Sequence, residues 1–218
     1  MGERRPTAVL ISGRGSNLQA LIEGTARPVS SARIVLVLSD QEAPGLAHAR
    51  AAGIEAATVD RRAFERREAF ERVLDRRLRD AGAELICLAG FMRILSPRFV
   101  DRWRERILNV HPSLLPAFPG LDTHRRALDA GVRIHGCTVH LVRAEVDCGP
   151  IIVQGAVPVL PDDTPDVLAA RVLEVEHRIY PYALDLLAAG RVRVEGDRAV
   201  IDSPPGSLDP MLNPPPVC

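Results

Sequence analysis

Three uninterrupted apolar runs constrain the fold more than any other feature of this chain: Ala8-Val-Leu-Ile11, Ile34-Val-Leu-Val-Leu38 and Leu85-Ile-Cys-Leu-Ala89. Each has the length of a strand and none alternates polar with apolar, the pattern of a strand covered on both faces. The first leads into Gly13-Arg-Gly-Ser-Asn17 and a helix-like stretch to Gly24. The second ends at Ser39-Asp40, before a short helix over 45–52 that Gly53 closes. Strand, glycine turn, helix is the first half of a βαβ unit. Shorter strands are expected over 55–59 and 107–109. The fold class is therefore α/β: a Rossmann-like, mostly parallel sheet flanked by helices.

From His135 the period changes. Cys137, Val139 and Leu141 alternate with Thr138, His140 and Val142, which predicts an antiparallel, half-exposed strand, with Ile151 to Gln154 as another. The C-terminal part is thus expected to be mixed or antiparallel. Over 64–81 the residues Phe70, Val73, Leu74, Leu78 and Ala81 share a helical face, and the Arg and Glu residues between them read as a solvated face. A helix over 164–187 should kink or divide at Tyr180-Pro181-Tyr182. A hairpin over 192–201 closes a single domain spanning 1–202. Residues 203–218 hold six prolines and little to bury, and are expected to be a disordered tail.

Asn109-Val-His-Pro-Ser-Leu-Leu-Pro-Ala-Phe-Pro-Gly120 follows the 107–109 strand with Pro112, Pro116 and Pro119, so it must be a stiff loop. Residues two apart on a strand point the same way, so the Asn109 amide and the His111 imidazole share one small space. Ligands of such sheets bind beyond the carboxyl ends of the strands, where Ser12, Gly90 and Asn109 should converge. The Gly13–Asn17 turn offers the N–H groups of Gly15, Ser16 and Asn17 at a helix start, an anion site suited to one phosphate monoester. Asp147, in Val-Asp-Cys-Gly-Pro, reads as a loop carboxylate that would hold His111 as a cation if the two meet. His48, His124, His135 and His140 read as structural or solvent-exposed. No metal site is expected: strand alternation separates His140 from the His135-x-Cys137 pair.

Composition removes other chemistries. The 28 basic residues balance 28 acidic ones, and all 28 are Arg. Without lysine there is no Schiff base, so pyridoxal phosphate is excluded, and no Walker phosphate lysine. A neutral chain gives no electrostatic reason for nucleic acid or an anionic membrane as partner. Four cysteines without a C-x-x-C pair, no signal segment and no long apolar run make a cytoplasmic location the expectation. No Gly-x-Ser-x-Gly occurs and no cysteine has an activating setting. What remains is Asn, cationic His and Asp, a set that can stabilise an oxyanion while two bound small molecules react directly.

Ile11-Ser-Gly-Arg-Gly-Ser-Asn-Leu-Gln19, Leu88-Ala-Gly-Phe-Met-Arg-Ile-Leu95, Asn109-Val-His-Pro-Ser-Leu-Leu-Pro116 and Asp147-Cys-Gly-Pro150 together resemble the phosphoribosylglycinamide formyltransferases. The likeness runs from about Ala8 to about Asp202. It implies transfer of a formyl group from 10-formyltetrahydrofolate to the glycinamide amine in purine synthesis, with an N-terminal phosphate-binding half and a C-terminal folate-binding half. By the same resemblance Asn109, His111 and Asp147 match the catalytic set, and Gly15, Ser16 and Asn17 the phosphate cradle. Met92, Arg93, Ile94 and Leu95, together with Arg143, Ala144, Glu145, Val146 and Asp147, match the folate pocket, which also takes in Asn109. Arg67 matches a folate contact. Leu173, Glu174, Val175 and Glu176 match the ribonucleotide contact, with Glu176 near the amine. Arg14 and Cys148 depart from the familiar pattern, which has Asn and Gly there. The implied partners are small molecules, and the chain would act as a monomer or homodimer.

Related readings fit less well. A methionyl-tRNA formyltransferase needs a C-terminal tRNA-binding domain that 203–218 cannot form. A formyltetrahydrofolate deformylase, which uses water as acceptor, lacks the Gly-Ser-Asn turn. A non-catalytic folate or phosphoribosyl sensor has no use for the Asn, His and Asp set.

Overall fold

The computed structural model describes residues 3–202 and the backbone of 212–213. Strands β1 (Arg5–Ile11), β2 (Ala32–Ser39), β3 (Glu55–Thr58), β4 (Leu85–Leu88) and β5 (Ile107–His111) are all parallel. They alternate with helices α1 (Ser16–Ala26), α2 (Leu46–Ala51), α3 (Arg67–Asp80) and α4 (Pro97–Arg102). Then α5 (Thr123–Asp129), β6 (Ile134–Leu141), β7 (Ile151–Pro158) and α6 (Pro165–Ala188) follow, with β8 (Val192–Glu195) and β9 (Arg198–Ile201) as a separate hairpin. Within the proposed tail, β10 (Leu212–Asn213) pairs with β7 at Gln154 and Gly155; the rest of that stretch lies outside the described residues. The main sheet runs β10-β7-β6-β5-β4-β1-β2-β3.

The apolar runs are continuous because both faces are covered. In β1, Val9 and Ile11 enter a core with Leu18, Leu21 and Tyr180 of α1 and α6, while Ala8 and Leu10 enter another with Phe70, Leu74 and Trp103 beside α3 and α4. Chain order reverses between β1 and β4, so the loops leaving these strands part there and open a crevice at their carboxyl ends.

Three expectations need correction. α3 begins at Arg67, after a 3-10 turn over 61–63 that Asp60 caps. Glu71 and Asp75 are buried rather than solvated: Asp75 accepts bonds from Trp103 Nε1 (2.8 Å) and Arg102 Nη1 (2.6 Å), and Glu71 from the Ser96 N–H (2.6 Å). The two carboxylates lock α4 onto α3. Finally, 165–188 forms one helix that takes in Pro181 and does not divide there. A Cβ on Gly24 would stand 2.5 Å from Pro181 Cβ, so α1 supplies a glycine where the proline ring packs.

Candidate active site

At the carboxyl end of the sheet lies a cavity of about 790 Å³, lined by residues from three loops, from β4, β5 and β6, and from α1, α4, α5 and α6. The proline loop is one wall. Thr138 on β6 donates from Oγ1 to Ser113 O (2.7 Å) and accepts from Leu115 N (3.0 Å), while Gln154 Nε2 donates to Leu115 O (2.9 Å). The Leu115–Pro116 bond is cis. These ties fix the loop against β6 and β7.

Asn109, His111 and Asp147 all line the cavity. Asp147 Oδ2 is 3.5 Å from His111 Nδ1 and accepts from the Gly120 N–H at 2.8 Å, joining the Asp147 loop to the proline loop. Asp147 has φ 58°, the left-handed region that few non-glycine residues adopt and that clusters at functional sites. The Phe118 carbonyl lies 3.1 Å from His111 Nε2. Both ring nitrogens therefore face oxygens, a carboxylate at Nδ1 and a carbonyl at Nε2.

His140, expected from the sequence to be structural or solvent-exposed, belongs to the same cluster. It is buried, pairs with Asn109 across the β5–β6 ladder, and stands 4.0 Å from Asp147 Oδ1. Its Nδ1 donates to Leu141 O, so Nε2 is left to accept from Asn109 Nδ2 at 3.3 Å. Burial lowers its pKa, which suits this neutral tautomer. Asn109 keeps a second N–H for the cavity. The polar face of β6 is thus buried too: His140 faces the site and Thr138 the proline loop, and within this strand only Ile134 is exposed. The signal was present in the alternation, but an antiparallel register was needed to read it.

At the other end of the site, Gly15 caps α1 at φ 78° with no side-chain cap, and Gln19 N makes the first turn to Gly15 O (2.9 Å). The preceding N–H groups, including Ser16 and Asn17, are left at a free helix end. A Cβ on Gly15 would lie 2.8 Å from Gly45 Cα, so this turn depends on two glycines meeting. Asn17 lines the cavity and donates from Nδ2 to Glu176 Oε2 at 2.7 Å. Ser16 lines a separate groove between α1 and α6. Of the four α6 candidates only Glu176 lines the main cavity; Leu173, Glu174 and Val175 do not.

Burial raises the Glu176 pKa to about 7, against the Asn17 bond that lowers it. The unfolded chain ionises this group near 4.5, whereas the folded chain resists until about 7. Its contribution to stability is therefore full below 4.5 and fades as pH rises through that window. Glu176→Gln should flatten this part of the pH–stability curve in thermal denaturation; an unchanged slope would contradict the burial argument.

The loop after β4 completes the rim. Ser12 Oγ accepts from Met92 N (2.9 Å), and Arg93 bonds the buried Asp40 at the end of β2. Met92, Arg93, Ile94 and Leu95 line the cavity, as do Arg143, Ala144, Glu145, Val146 and Asp147. Met92, Ile94, Leu121 and Val146 are exposed large apolar side chains, an apolar mouth for a flat ligand. Arg67 lies outside the lining; it pairs with Glu71 at 3.9 Å, and Glu71 in turn holds Ser96, next to Leu95. Among the described residues no group of three His, Cys, Asp or Glu is arranged to hold a metal, and no helix is long and apolar enough to cross a membrane.

The doubly wound sheet brings an Asn-x-His strand end and a loop aspartate into one crevice, and the chain belongs to the formyl transferase family, whose model matches residues 5–184. Phosphoribosylglycinamide formyltransferase of Escherichia coli K12 is 46% identical over 195 residues, covering 89% of this chain and 92% of that protein. The trifunctional purine biosynthetic protein adenosine-3 of Gallus gallus is 53% identical over 188 residues. The match takes in 86% of this chain but spans only 19% of that longer protein. Glycinamide ribonucleotide transformylase 1 from Symbiobacterium toebii superposes with a TM-score of 0.90 at 49% identity, covering 92% of this chain and 95% of that one.

Proposed function

We propose that this chain transfers the formyl group of 10-formyltetrahydrofolate to the amine of 5-phosphoribosylglycinamide, a step of de novo purine synthesis. The observation that supports it best is the meeting of Asn109, His111 and Asp147 in one cavity with Asn17 and Glu176. Asn109 and charged His111 stabilise the oxyanion that develops as the amine adds to the formyl carbon. Asp147 keeps His111 charged and relays a proton to the leaving nitrogen. Gly15, Ser16 and Asn17 hold the phosphate at the free end of α1. Glu176, titrating near 7, sits where it can exchange a proton with the amine at neutral pH. The folate enters past the apolar mouth, with Met92 to Leu95 and Arg143 to Asp147 around its ring system; Arg67, which the family resemblance makes a folate contact, lies outside the cavity lining.

A deformylase would use the same Asn, His and Asp with water as acceptor; the Gly13–Asn17 turn favours the ribonucleotide. The reading needs only small-molecule partners, a cytoplasmic setting, and either a monomer or a homodimer. After incubation with both substrates, the ribonucleotide should gain the mass of one formyl group. Ser16→Ala should raise its KM several-fold while leaving kcat within about twofold, because the cradle binds ground and transition states alike. A loss confined to kcat would overturn the cradle assignment.

A further inference from the structure

The two nitrogens of His111 do different work. Asp147, which faces Nδ1, lines the cavity, whereas Phe118, whose carbonyl faces Nε2, does not. A carbonyl only accepts, so Nε2 carries a proton directed at Phe118, outside the cavity lining. That carbonyl is held in place at some cost: Phe118 is a non-glycine residue at φ 52°. Its ring meets the His135 ring edge-on (centroids 5.9 Å apart, planes at 76°), and the Arg126 guanidinium lies 5.7 Å from its centroid. Arg126 also donates to Pro119 O and to Leu121 O (3.2 Å), on either side of Gly120, whose N–H holds Asp147. His135 rests in turn on His124, ring centroids 5.3 Å apart. Burial and neighbouring His124 push the His135 pKa down to about 4, so this support adds no charge to compete with His111.

We propose that Phe118 is a positioning residue for the formyl transfer: its main-chain carbonyl fixes the Nε2 proton of His111, which leaves Nδ1 as the nitrogen that works with Asp147 on the substrate, and Arg126 and His135 clamp that carbonyl. The inference rests on the formyl-transfer reading above. It follows the rule that the working nitrogen of a histidine is set by the bond the other one makes. If the clamp loosens, the ring can turn and both nitrogens sample the cavity, so the chemical step suffers while binding does not.

Arg126 is exposed, so replacing it leaves the core intact. Arg126→Met removes both the cation over the ring and the bonds to the loop carbonyls. It should lower kcat about tenfold with both KM values within about twofold. Arg126→Lys should recover most of the loss, because an ammonium can still sit over the ring. In ¹⁵N-labelled protein the His111 Nε2–H signal, identified by its absence in His111→Asn, should be sharp in wild type and Arg126→Lys and broadened by water exchange in Arg126→Met. Wild-type kcat in Arg126→Met, or a lowered kcat with the Nε2–H signal unchanged, would overturn the proposal. Phe118→Tyr, which keeps the ring, should behave as wild type in both readouts; loss of the Nε2–H signal there would also count against it. If wild type shows no ribonucleotide-dependent turnover the formyl-transfer reading fails instead, and the NMR result still reports on the clamp.

Discussion

Asp147→Asn should cut turnover on the order of 10³-fold while leaving ribonucleotide binding nearly intact. The reason lies in what faces His111. The Phe118 carbonyl engages one ring nitrogen, but it is neutral; Asp147, 3.5 Å from Nδ1, is the negative charge beside the ring, and the proposed mechanism relies on it to hold His111 as a cation. An amide has nearly the same shape and removes that charge. It also weakens the joint between the two loops, because the Gly120 N–H then meets a neutral oxygen instead of a carboxylate. The proposed phosphate cradle stands on α1, away from this loop, so the ribonucleotide dissociation constant should change by less than about twofold. Calorimetric titration of the variant, paired with its kinetics, separates the two effects. Near-wild-type turnover would remove Asp147 from the mechanism.

Among the described glycines, Gly149→Ala should be the most damaging substitution by alanine. A Cβ there would stand 1.6 Å from Leu141 O and 2.8 Å from Leu141 C, both backbone atoms that cannot turn aside. The strand and loop would have to separate, losing the 2.9 Å bond from Leu141 N to Pro150 O. Together with overpacking this should cost about 3 kcal/mol, which for a domain of this size lowers Tm by about 6–12 °C. Activity should fall further than stability, because Asp147 lies two residues away and His140 one residue from the crossing. Thermal melts and assays at low temperature, where the variant remains folded, would separate these losses; an unchanged Tm would refute the steric argument.

The features that proved readable in the sequence are those that depend on neighbours along the chain. β1, β2 and β4 were legible because burial on both faces leaves unbroken apolar runs, and the α1 turn because glycines mark it. Asn109 and His111 could be placed side by side from strand alternation alone. Asp147 could not be joined to them without the family resemblance, since its own sequence describes only a turn. What stayed hidden was set by partners far away. Glu71 and Asp75 look like members of a charged helix face until Ser96, Trp103 and Arg102 are seen to bond them. His140 became part of the site only through the register that sets it against Asn109. Gly45 gave no sign that it meets Gly15. Pro181 argued for a break in α6, and the glycine that accommodates it lies on another helix.

The central claim, that two substrates react directly between Asn109, His111 and Asp147, is tested most simply by following 10-formyltetrahydrofolate with and without 5-phosphoribosylglycinamide. The account predicts that tetrahydrofolate appears only when the ribonucleotide is present, and in equal amount to the formylated product. Tetrahydrofolate released at the same rate without the ribonucleotide would mean that water is the acceptor, and would contradict it.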